Sequence, residues 1–145
     1  GSVRISTKRT SESKRCFTKV RLNLLLDTHI LLWWLADSPR LSKKARKAIQ
    51  DSEIVWVSAV SAWEIELKRS RGLLEAPDNL EATLRARDLQ PLPLTMAHAA
   101  AAARLPLHHR DPFDRMLIAQ VTVESLTLLT ADKQQAAYDV PVILA

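Results

Sequence analysis

Residues 22–37 read LNLLLDTHILLWWLAD. The first five form a short apolar run that ends at an aspartate, the pattern of a strand buried on both faces. The residues after Asp27 are almost wholly apolar and read as a helix, broken at Ser38-Pro39. A buried strand that feeds directly into a helix is how an alternating α/β chain begins.

The same alternation continues. Ser42 caps a helix in SKKARKAIQDS, and IVWVS (54–58) is β-branched and aromatic, hence strand. AVSAWEIELKRSRG is a helix that stops at Gly72, with Lys68, Arg69 and Arg71 in its last turn. PDNLEATLRARDL gives a further helix, and PLPL (91–94) an edge-like extended piece. TMAHAAAAARL is a helix capped by Thr95 and ended by Pro106. A helix from Asp111 runs to about Glu124, and LTLLT (126–130) is another buried strand. DKQQAAYD predicts a short helix and VPVIL a last strand. The expected fold is a three-layer α/β domain with a mostly parallel central sheet flanked by helices. Strand order is not legible.

The chain has 145 residues, 47% hydrophobic and 26% charged, an ordinary balance for one globular domain. Its net charge of +5 is unevenly placed. Residues 1–21 hold seven basic residues and one acid; residues 22–145 hold 14 basic and 15 acidic. The basic character thus belongs to a polar N-terminal extension, of vector origin or preceding the native start, or less plausibly an arm for phosphates. The body, residues 22–145, offers no general basic surface for nucleic acid. Two glycines cannot build a glycine-rich phosphate loop, and a single cysteine, Cys16, makes no internal disulfide. No apolar span reaches membrane length, and no signal peptide opens the chain, so the expected location is the cytoplasm.

Four acids stand where a core or a crevice belongs. Asp111 precedes Pro112 and reads first as a helix cap. Asp114 shares a helix face with Leu117, Ile118 and Val121, so it points inward. Glu64 lies on the stripe of Val60 and Leu67; its alternative reading is a pair with Lys68 one turn on. Glu66 points to solvent. Asp27 and Asp132 follow the carboxyl ends of two buried strands, where parallel sheets bind ligands, although each also suits a helix cap. Were the four to meet, each close pair would repel by roughly 4 kcal/mol at an effective dielectric near 20. Such a cluster takes up protons or a cation. All-oxygen ligation favours Mg²⁺ or Mn²⁺, and the natural chemistry is phosphodiester hydrolysis by a metal-activated water.

On the blocks LLLDTHILLWWL, SAVSAWEIELK, LPLHHRDPFDRMLIAQ and LLTAD, residues 22–145 resemble a PIN-domain ribonuclease, most closely a VapC-type toxin of a type II toxin–antitoxin pair. The resemblance implies that Asp27 and Asp114 lead in holding Mg²⁺ or Mn²⁺. It implies that Glu64 and Asp132 ligate directly or through water, or position the attacking water. Thr130 matches a supporting hydroxyl, and Asp111, in the block that carries Asp114, is a helix cap first and a supporting group second. The implied activity is cleavage of RNA to a 5′-phosphate and a 3′-hydroxyl. The implied partners are a VapB-type antitoxin helix in a groove and a second copy of the chain.

Other groups have two readings. Arg110 and Arg115 are solvated charges or receive the RNA backbone. His108-His109 read as surface loop, and His29 as a neighbour of the site without a proton-transfer role. Trp33, Trp34, Trp56 and Trp63 fill the core or a subunit contact, and the apolar surface of residues 30–35 favours a partner. Two rival functions remain: a phospho-signalling receiver that also gathers acids and Mg²⁺, and a PIN fold that binds without turnover. The receiver needs an aspartate ending a central strand, where IVWVS has serine. The inactive fold is disfavoured by the presence of all four acids.

Overall fold

The computed structural model describes residues 22–107 and 111–145. The N-terminal extension with Cys16, and His108, His109 and Arg110, lie outside the described residues. Among the described residues, five strands form one sheet: β1 (Asn23–Leu26), β2 (Ile54–Ser58), β3 (Leu89–Leu92), β4 (Thr127–Thr130) and β5 (Val142–Leu144). Every neighbouring pair is parallel, in the order β3-β2-β1-β4-β5. The helices are α1 (Thr28–Leu35), α2 (Lys43–Asp51), α3 (Ala59–Ser70), α4 (Leu80–Ala86), α5 (Met96–Ala103) and α6 (Pro112–Glu124).

The three layers follow from the side-chain period of the strands. Successive residues point to opposite faces. Leu24 and Leu26 join a core with Ile30, Leu31, Ala45, Ile49, Leu80 and Leu84, from α1, α2 and α4. Leu25 and Leu128 face the other way, onto Leu117, Ile118 and Val121 of α6. The sheet is apolar on both faces, as a parallel sheet under two helical layers must be. α3 contacts both α1 and α6.

Local chemistry sets the ends of these elements. The Ser42 hydroxyl accepts from Ala45 N at 3.1 Å. Gly72 takes φ +68° just past α3, the left-handed turn that a glycine adopts without strain. α6 ends at Glu124, as its sequence predicts.

Four expectations need correction. The edge strand is Leu89–Leu92, shifted two residues from PLPL; it lies at the sheet margin, where Pro91 costs nothing. α4 is shorter than its sequence block, because Asn79 caps it and Asp88 (φ +59°) turns the chain into β3. DKQQAAYD makes only a 3-10 turn, Gln135–Ala137. The apolar surface expected at residues 30–35 is largely absorbed: Ile30 and Leu31 are buried, and Leu32 to Leu35 pack against the same core. The large exposed apolar side chains include Trp63, Leu73, Met96 and Leu107. No helix among the described residues is long and apolar enough to cross a membrane.

Candidate active site

The order of the strands decides where a ligand fits. From β1 the chain winds outward through β2 and β3, then returns to place β4 on the other side of β1. The carboxyl ends of β1 and β4 therefore flank the switch point, where open α/β sheets leave a crevice. Asp27 follows β1 directly, and Thr130 ends β4.

Asp27 occupies the N-cap position of α1 but makes no side-chain cap bond. Its carboxylate is 5% exposed, and Oδ2 accepts from Thr130 Oγ1 at 2.5 Å. The same Thr130 oxygen accepts from Asp132 N at 3.0 Å, which aims its single proton at Asp27. Burial pushes the Asp27 pKa above its ordinary value. The Thr130 bond, the charge of His29 and the Thr28 backbone oppose that shift, and the charge of Glu64 adds to it. Asp27 and Glu64 thus act on each other across the site.

Glu64 is 7% exposed on α3. Its Oε1 lies 2.8 Å from Thr28 Oγ1, which also lies 2.9 Å from Ser61 Oγ. Its Oε2 meets Lys68 Nζ at 3.0 Å, so the predicted pairing with Lys68 is present together with the inward placement. Glu66 is exposed, as expected, and accepts from Arg69.

Asp114 is half-buried in the first turn of α6, on the face of Leu117, Ile118 and Val121, each 1% exposed or less. The Asp111 carboxylate caps this helix, accepting from Phe113 N at 2.8 Å and Asp114 N at 3.3 Å. Phe113 meets Trp63 edge-on, with centroids 5.2 Å apart, so the start of α6 lies against α3 near Glu64. Asp132 is half-buried past β4, and its Oδ1 accepts from Gln134 N at 2.8 Å. The structure therefore couples Asp27 to Glu64 and links Asp27 through Thr130 to the Asp132 backbone. Among the described residues, no three His, Cys or acidic side chains form a group that would enclose an ion. A cleft of about 490 Å³ between α3 and α4, lined by Ser58, Ala62, Glu66 and Leu84 among others, includes none of the four acids.

Arg115, half-buried on α6, is engaged by the body of the protein. Its guanidinium bonds to the carbonyls of Ala102, Leu105 and Pro106 and to the Tyr138 hydroxyl, closing the carboxyl end of α5. Trp33, Trp34 and Trp56 pack against the cores, whereas Trp63 is 59% exposed. Thr28 and Ser61 escaped the sequence reading. Their signal was positional: Thr28 follows Asp27, and Ser61 lies three residues before Glu64, on its helix face.

The family model for the PIN domain matches residues 24–141. The chain belongs to the PIN-domain family. This PIN domain is 30% identical over 123 residues to ribonuclease VapC22 of Mycobacterium tuberculosis, covering 81% of this chain and 93% of that protein. Its fold matches FitAcB from Neisseria gonorrhoeae, with a TM-score of 0.57, 22% identity, and 83% and 96% of the two chains covered. It also matches VapBC2 from Rickettsia felis bound to a promoter DNA fragment, with a TM-score of 0.62, 11% identity, and 85% and 98% covered. The three-layer architecture expected from the sequence is the one these structures share.

Proposed function

We propose that this PIN domain is the endoribonuclease toxin of a toxin–antitoxin pair, dependent on Mg²⁺ or Mn²⁺. The observation that carries the reading is the buried Asp27 carboxylate at the switch point, charge-coupled to Glu64, in a chain whose relative is a ribonuclease. The donors suit a hard cation. They are oxygens only, and burial together with the Glu64 charge disfavours the bare Asp27 anion. Mg²⁺ needs only one or two carboxylates and keeps its waters, so a closed cage of three acids is not required.

Asp27 and Asp114 hold the ion, and Glu64 and Asp132 ligate directly or through water, or position the attacking water. Thr130 keeps Asp27 turned into the crevice. Once bound, the ion supplies Lewis acidity toward a phosphoryl oxygen and activates water for attack. Arg110 and Arg115 are the candidates to meet the RNA backbone. The test is cleavage of RNA by the purified protein. Cleavage should require Mg²⁺ or Mn²⁺, stop with chelator, and be lost in Asp27→Asn and Asp114→Asn proteins with unchanged circular dichroism. Cleavage that survives both substitutions would remove the mechanism.

A VapB-type antitoxin is the proposed inhibitor, a reading supported by fold neighbours that are toxin–antitoxin complexes. The product of the adjacent reading frame should co-purify with this chain and suppress cleavage. Two copies are proposed to associate. Trp63 and Met96, 59% and 89% exposed, are the kind of apolar surface that association covers. Sedimentation at micromolar concentration reads the assembly directly.

A further inference from the structure

The two oxygens of Glu64 are held in different ways. Oε1 accepts from Thr28 Oγ1, and Thr28 is 4% exposed beside the fully buried Ser61. A hydroxyl has one proton, so Thr28 gives its proton to the carboxylate and takes one from Ser61. Breaking this contact would strand buried polar groups. Oε2 is held by Lys68 Nζ, on a side chain 40% exposed. A lysine on a flexible four-carbon stem moves its ammonium into water with little rearrangement. One oxygen of Glu64 is thus fixed, and the other carries a removable cation.

An ammonium and a divalent ion repel each other at one carboxylate oxygen. We propose that Lys68 is the resident counter-cation of Glu64, displaced when a divalent ion enters, so that this lysine sets how much metal the site needs. The inference rests on the metal-dependent reading above. Lys68 neutralises the buried carboxylate while the site is without metal and withdraws to solvent when metal binds. Thr28 stays in place and presents Glu64 in one orientation throughout.

The experiment is calorimetric titration of the full chain with MnCl₂, without RNA. Lys68→Met should bind Mn²⁺ about fivefold more tightly than wild type, the size of a partly exposed ion pair removed from competition. Lys68→Arg keeps the charge and should stay near wild type, and Thr28→Val should bind more weakly. Circular dichroism checks the fold of each variant, and Lys68→Gln replaces the methionine variant if that one unfolds. Unchanged or weakened binding in the neutral Lys68 variants, with wild type binding normally, overturns the role of Lys68 alone. Failure of wild type to bind Mn²⁺ at millimolar concentration overturns the metal reading, and this inference falls with it.

Discussion

Thr130 Oγ1 donates to Asp27 Oδ2 at 2.5 Å, joining the carboxyl ends of β4 and β1 where the strand order reverses. The hydroxyl also accepts from Asp132 N, so one buried oxygen organises residues from both sides of the crevice. Thr130→Val keeps the shape and removes both bonds. The buried carboxylate and an amide each lose a partner, at a cost of about 1–3 kcal/mol. Urea unfolding should show a lowered midpoint with an unchanged slope, and Thr130→Ser should recover most of the loss. Equal midpoints for valine and threonine would show that this bond holds nothing.

An ionised Asp27 should cost the metal-free fold stability at neutral pH. Its folded-state pKa is raised above the ordinary 3.8, chiefly by burial. The folded protein therefore holds this proton more tightly than the unfolded chain, and stability falls as pH rises from 3.8 through the raised value. Asp27→Asn cannot ionise. In chelator at pH 7 it should be more stable than the wild type. The gain should vanish toward pH 3.8. A pH-independent difference would place its origin elsewhere. Since the ion needs the anion, Mn²⁺ affinity should fall as pH drops through the same window.

How much of this site was legible in the sequence depended on how each residue declares itself. Asp27 announced itself because an acid ends an apolar strand, and Asp114 because it interrupts an apolar helical stripe. Both signals are local and survive into the structure. Strand order is different in kind. It is fixed by which strands bury the most surface between two helical layers, a non-local choice that leaves no mark at Leu25 or Leu128. The setting of Arg115 was hidden for the same reason. Its neighbours in sequence include Asp111 and Asp114, but its partners in space include carbonyls at the end of α5 and the Tyr138 hydroxyl. The 3-10 turn at Gln135–Ala137 failed to become a helix because polar composition alone supplies no apolar stripe to dock.

Arg115 gives a third stability test. Nη2 bonds to the carbonyls of Ala102 and Leu105 at 3.0 and 3.1 Å, and Nη1 to that of Pro106 at 3.0 Å. Helix carboxyl ends leave orphan carbonyls, and here one planar guanidinium satisfies several. Arg115→Met should cost about 2–3 kcal/mol, in the range of charge-assisted hydrogen bonds. Arg115→Lys should recover little, because an ammonium lacks the fork. A loss near 0.5 kcal/mol, typical of an open surface position, would contradict this placement.

His98 is a buried polar residue that bridges α5 and α6. It is fully buried, its Nδ1 accepts from Thr95 N at 3.0 Å, and its Nε2 lies 2.8 Å from Glu124 Oε2. An Nδ1 that accepts leaves the proton on Nε2, so the ring donates to Glu124 and ties the start of α5 to the end of α6. The Thr95 hydroxyl accepts from His98 N in return, completing a capping box. His98→Ala removes the cap partner and opens a cavity, and should cost roughly 2–4 kcal/mol in chemical denaturation. Glu124→Gln still presents an acceptor oxygen to Nε2, so it should cost under about 1 kcal/mol. Glu124→Leu removes the acceptor and should approach the His98→Ala loss. Should Glu124→Leu prove as mild as Glu124→Gln, the ring would be held by packing alone, and the hydrogen bond across the two helices would have no part in fixing them.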